Sequence, residues 1–136
     1  MARKRENQDI IRLNIGGKEF MTRRATLCAK EGLLEQTFRV ESPIAPPPTI
    51  ILNTAGDAFV DRSPRTFDIV LDYLRNGGGM TRTFTTLNDD LDTILVEFLR
   101  ADAYFYGLKE LVDQCDKFLA RRHRLYGARY SFRFVS

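Results

Sequence analysis

The sequence predicts an α+β fold, a small sheet of hairpins packed on a helical cluster. Three observations carry this reading. Short extended runs punctuated by Gly, Asn and Pro fill the N-terminal part. At Ser63-Pro64 the apolar period changes from that of a strand to that of a helix. Helical spacing then dominates the second half. A chain of 136 residues suits one domain around a single hydrophobic core.

Ile11, Leu13 and Ile15 alternate with Arg12 and Asn14, the pattern of a half-buried strand. Gly16-Gly17 is a two-residue turn signal, and Phe20 to Thr22 resumes the extended pattern, so a β-hairpin is expected. Thr26 opens a short helical segment, Leu27 to about Lys30, and Leu33, Leu34, Thr37 and Phe38 continue an apolar face. Pro43 and Pro46-Pro47-Pro48 forbid regular structure between Ser42 and Thr49. Ile50 to Asn53 reads as a strand, Ala55-Gly56-Asp57 as a turn, and Phe59-Val60 as the returning strand.

The stretch Asp57–Gly77 is the one the chain is organised around. Ser63 stands where a helix N-cap belongs, and Pro64 follows at the first helical position, where its missing N–H costs nothing. Phe67, Val70, Leu71 and Leu74 recur at i, i+3, i+4 and i+7, one buried helical face. Gly77 suits a left-handed C-cap. After Gly77-Gly78-Gly79 a link runs to Thr86, and Asn88 with Asp89, Asp90 and Asp92 suits the positive end of a helix. Leu91, Ile94, Leu95, Phe98 and Leu99 are the expected buried stripe of that helix. Leu108, Leu111, Val112, Cys115, Phe118 and Leu119 are the stripe of the last.

Catalytic chemistry has no constellation to rest on. Asp57–Gly77 pairs no nucleophile with a base, and the single histidine, His123, sits among arginines with nothing local to orient it. A zinc site needs about four convergent ligands, which Cys28, Cys115 and His123 do not supply. Asp89-Asp90-Leu91-Asp92 lacks the Gly and distal Glu of a calcium loop. The glycine pair Gly16-Gly17 is followed by no Walker Lys-Ser/Thr. No enzyme activity, cofactor, metal or small-molecule substrate is expected.

Charge is unevenly spread. Arg3, Lys4, Arg5, Arg121, Arg122, Arg124, Arg129 and Arg133 hold eight of the 21 basic residues at the two ends. The remaining 13 face 18 acidic residues, so the body is acidic at −5. A nucleic-acid-binding domain spreads basic residues over a folded face; here they solubilise the ends, and nucleic acid is not the expected partner. No apolar run approaches the roughly 20 residues that span a bilayer, and the N-terminus lacks the apolar segment of a secretory signal. Two cysteines without such a signal read as thiols of a reducing compartment, so the expected location is intracellular, cytoplasmic or nuclear.

With these residues laid out, the chain resembles the potassium-channel tetramerisation domain, a BTB/POZ-type fold, from Ile10 to about Leu119. Leu13-Asn14-Ile15-Gly16-Gly17 with Phe20, Thr22 and Thr26-Leu27 matches its opening. Phe59-Val60-Asp61-Arg62-Ser63-Pro64, Phe67, Leu71, Tyr73-Leu74-Arg75 and Gly77 match its central signature. Leu99, Asp102-Ala103, Phe105-Tyr106-Gly107-Leu108 and Leu111 match its closing helices. Leu111-Val112-Asp113-Gln114-Cys115 is similar to the KCTD branch, and Asp116 after Cys115 removes the interface zinc of many channel versions.

The resemblance implies a BTB/POZ domain over residues 10–120; the residues on either side read as a basic N-terminal tail over 1–9 and a basic-aromatic extension over 121–136. It implies a homo-oligomer, a tetramer or pentamer, with Arg12, Asn14, Lys18, Asp61 and Arg62 at the interface or in a structural hub. It also implies an adaptor for a cullin-3 ubiquitin ligase, with Phe38, Val40 and Glu41 as candidate contacts. The alternative is a potassium-channel assembly domain or channel-associated regulator. Beyond the resemblance, Tyr130, Phe132 and Phe134 alternate with Arg129, Ser131 and Arg133. That period of two suggests a C-terminal strand with an aromatic face.

Overall fold

The computed structural model describes residues 9–78 and 90–126. Strands β1 (Ile10–Ile15) and β2 (Lys18–Arg23) form the first hairpin, Ile15 pairing with Lys18. Gly16 and Gly17 make the turn with φ of +57° and +106°, which matches the twist of the flanking strands. Helices α1 (Arg24–Leu27) and α2 (Leu33–Phe38) follow, then β3 (Ile50–Leu52) and β4 (Ala58–Val60). The first helix thus begins and ends earlier than the expected Leu27–Lys30. Asn53 lies beyond β3 and orders its loop, its Oδ1 accepting from the Ala55 and Asp57 N–H groups at 2.9 Å each. This is an Asx turn.

The sheet order is β2-β1-β4-β3, and β1 meets β4 in parallel, Leu13 beside Ala58 and Ile15 beside Val60. One face buries Ile11, Leu13, Ile15, Phe20, Ile50, Ala58 and Val60 in the core. Ser63 Oγ accepts from the Arg65 N–H at 3.2 Å, and Pro64–Thr66 form a 3-10 turn leading into α3 (Phe67–Arg75). Gly77 and Gly78 end α3 through bonds to the Leu74 and Tyr73 carbonyls, a Schellman closure.

Two long helices, α4 (Asp90–Phe105) and α5 (Lys109–Tyr126), complete the core. Arg100 Nε joins them by pairing with Asp116 Oδ1 at 2.5 Å. The last helix crosses residue 120, so residues 121–126, expected in the extension, are helical. In α4 the buried face is Thr93, Val96, Leu99, Asp102 and Ala103. Ile94 and Leu95 are only half-buried and Phe98 is 48% exposed. The expected stripe therefore holds only at Leu99 among the described side chains, because two polar residues occupy the core side. The last helix buries Leu111, Cys115, Phe118 and Leu119 as expected, with Leu108 just before it and Val112 half-buried. Asn88 and the strand expected at Tyr130, Phe132 and Phe134 lie outside the described residues.

Candidate interaction surfaces

A buried hub joins the central signature to α4. Arg62 follows β4, and its Nη2 donates to Asp102 Oδ1 at 2.6 Å. Thr66 Oγ1, fully buried in the 3-10 turn, donates to the other carboxylate oxygen of Asp102. The carboxylate is 8% exposed and the arginine side chain 30%. A charge so placed is tolerable only when paired and hydrogen-bonded. The guanidinium also lies 4.6 Å from the centre of the Phe105 ring. Burial and the Asp102 charge push the Tyr106 hydroxyl well above its ordinary value, so it stays protonated.

An aromatic chain carries this hub back to the first hairpin. Phe105 packs edge-on to Tyr106 at 5.0 Å, Tyr106 lies 5.6 Å from Phe67, and Phe67 lies 4.9 Å from Phe20. Gly16 closes the circuit along the backbone, its N–H donating to the Val60 carbonyl at 2.9 Å. A Cβ there would sit 2.3 Å from the Arg62 carbonyl oxygen.

The structure separates the residues expected to act together. Arg12 and Asn14 project from the outer face of the sheet, in register with Met21 and Glu19. Asn14 Oδ1 also accepts from the Gly17 N–H at 2.7 Å and so fixes the turn. Lys18 is on the other face, because the alternation of β2 places it with Phe20. Its Nζ stands 5.1 Å from that ring and 3.4 Å from Asp68. Asp61 is exposed, and Arg62 pairs with Asp102 instead of its neighbour. Asp102 and Thr66 were not foreseen as members of the hub. Their signal was a carboxylate at a core phase of a helix, with a partner 40 residues upstream.

The outer sheet face carries several exposed apolar side chains. Ile10, Met21, Ile51 and Phe59 are exposed there, Ile51 at 61%, interspersed with Arg12 and Glu19. Phe59 lies between Asn14 and Ile51 in the strand register. A shallow concavity of about 340 Å³ lies among Arg12, Asn14, Glu19, Ile51 and Phe59.

A second surface follows α2. Phe38, expected as a contact, is 3% exposed and belongs to the core, because it is the last residue of the buried face of α2. Its carbonyl accepts from Arg24 Nη1. Val40 is 51% exposed, Glu41 is exposed, and Ile44 joins them at 49%. Among the described residues no three His, Cys, Asp or Glu side chains gather in a metal-binding group, and no helix is long and apolar enough to cross a membrane.

A mixed sheet, a capped helix after β4 and two closing helices, the first of them tied to the end of β4 by the Arg62–Asp102 pair, define an α+β domain. The chain belongs to the BTB/POZ domain family, whose profile matches residues 11–115. It is 31% identical to the Homo sapiens BTB/POZ domain-containing protein KCTD3 over 104 residues, covering 76% of this chain and 11% of that protein. It is 32% identical to the Mus musculus potassium channel regulatory protein over 120 residues, 82% of this chain and 38% of that one. With the Mus musculus KCTD9 the identity is 29% over 110 residues, 79% of this chain and 29% of KCTD9. The matches thus span 11% to 38% of the length of these relatives.

Proposed function

We propose that this domain is a self-assembling adaptor, forming a ring through its outer sheet face and recruiting cullin-3 through the segment after α2. The carrying observation is the exposed apolar set Met21, Ile51 and Phe59 on a sheet whose opposite face supplies the core. Apolar surface of this kind marks interaction sites. Arg12, Asn14 and Glu19 around it supply polar pairing that fixes orientation. The hub of Arg62, Thr66 and Asp102 braces the sheet from behind. Native mass spectrometry tests the assembly. The wild type is expected as a tetramer or pentamer and Ile51→Asp with Phe59→Asp as a folded monomer; a wild-type monomer, or an undiminished variant, would count against it.

Val40, Glu41 and Ile44 form the proposed cullin-3 contact, an apolar pair beside a carboxylate. Val40→Asp should abolish binding to the N-terminal region of cullin-3 without changing particle mass. Absence of wild-type binding at micromolar protein removes the ligase role and leaves the assembly role standing.

The similarity to a potassium channel regulatory protein favours one further reading, co-assembly with potassium-channel subunits. Mixing with a channel tetramerisation domain and weighing the native particles distinguishes it: hybrid masses support co-assembly, and unmixed ones exclude it.

A further inference from the structure

We propose that Ser42 is a phosphorylation site for a proline-directed serine kinase, and that Arg39 receives the phosphate. This rests on the adaptor reading only for its consequence at the cullin-3 contact. The chain contains two Ser-Pro dipeptides, Ser42-Pro43 and Ser63-Pro64, and the structure treats them differently. Ser63 Oγ is engaged as the cap of the 3-10 turn, and Pro64 lies inside that turn. Ser42 lies in a run where every residue from Val40 to Ala45 is exposed and none is in a helix or strand. Its hydroxyl has no partner among the described residues.

Ser42 also holds a φ of +50°, a conformation L-residues seldom adopt, and the following proline disfavours helical backbone at this position further. The bend is held by Arg39 Nε on the Ser42 carbonyl at 3.1 Å and by the Ile44 N–H on the Gln36 carbonyl at 2.8 Å. Drawing the segment into a kinase cleft breaks these two bonds and relieves the left-handed serine. The γ-phosphoryl of ATP then passes to Ser42 Oγ. The new Oγ–P bond forms as the bond to the ADP oxygen breaks, the hydroxyl proton goes to the kinase's base, and ADP leaves.

The product is a dianion beside a guanidinium that already reaches Ser42. Arg39 Nη1 is otherwise 3.5 Å from Glu35 Oε2, a long pairing that a phosphate displaces through charge-assisted bonds. Glu41 next door adds like charge. The apolar pair Val40 and Ile44 would then be flanked by phosphate, which is unfavourable for an apolar partner.

The native protein, Ser42→Ala and Ser63→Ala are incubated with ATP and a proline-directed kinase, and the phosphate is located by peptide mapping. One phosphate on wild type and Ser63→Ala, and none on Ser42→Ala, is expected. No incorporation into the native wild type, or equal incorporation into Ser42→Ala, overturns the site. Phosphorus NMR titration of the modified protein should show the phosphate ionising at lower pH than in Arg39→Gln; identical titrations overturn the Arg39 assignment. Modification should weaken cullin-3 binding about tenfold, the scale of one lost contact. If the unmodified protein binds no cullin-3, the adaptor reading fails, while the mapping still decides the site.

Discussion

Arg62 and Asp102 stand 40 residues apart in the chain and 2.6 Å apart in space. The pair clamps the end of β4 to α4, and Thr66 donates to the second oxygen of the carboxylate. Arg62→Ala would leave Asp102 buried and lacking its countercharge. We expect a loss of about 2 kcal/mol or more, read as a lower urea midpoint. Arg62→Ala in an Asp102→Ala background should cost much less, since the charge to be neutralised is gone. Equal losses in both backgrounds would show that the pair is not coupled.

Gly16→Ala and Gly17→Ala should differ although the residues are adjacent. Both have positive φ, but a Cβ on Gly17 meets open space, while one on Gly16 meets the Arg62 carbonyl oxygen. Gly17→Ala carries the left-handed strain of roughly 1 kcal/mol. Gly16→Ala adds displacement of the signature backbone and should lower the melting temperature clearly further. A smaller effect at Gly16 would refute the close packing of this turn.

Phe38 and Val40 divide stability from docking. Phe38→Ala opens a core cavity and should cost about 3 kcal/mol or more. Val40→Asp, on an exposed position, should change the unfolding free energy by no more than about 0.5 kcal/mol, read from urea denaturation. Comparable destabilisation by both changes would contradict the burial pattern.

Burial pushes the Cys115 thiol up to about 12, with Asp116 adding to the shift. In the unfolded chain it ionises near 9.0. The folded state keeps the proton where the unfolded state loses it, so the stabilisation is complete below pH 9. It declines as pH rises from 9 towards 12, by about 1.4 kcal/mol per pH unit. Cys115→Ala should be less stable at neutral pH but decline less steeply above pH 9. Parallel stability curves would exclude this thiol as the source of the alkaline slope.

The hairpins and the capped helix were legible because local chemistry dictates them. Gly16-Gly17 makes a tight turn between alternating strands, and Ser63 caps the 3-10 turn Pro64–Thr66 from which the apolar period of α3 continues. The expected stripe of α4 failed for a non-local reason. Thr93 and Asp102 lie on its core side, and Asp102 is tolerated there because Arg62 and Thr66 meet it. Apolar spacing alone selects Phe98, which instead lies 5.2 Å beneath the Arg65 guanidinium. Similarly, alternation in β2 shows that Lys18 and Glu19 face opposite sides, but only the register with β1 shows which neighbours each meets.

The parallel pairing of β1 with β4 has a consequence for synthesis. During translation β2 leaves the ribosome immediately after β1, whereas β4 follows only after both short helices and the proline-rich segment. Until then the growing chain presents one unsaturated edge of β1 beside the uncovered side chains of Ile11, Leu13 and Ile15. Such an edge can pair with foreign strands. The same interval is a window in which nascent-chain chaperones can engage the first hairpin, closing when Val60 emerges and Gly16 finds its carbonyl.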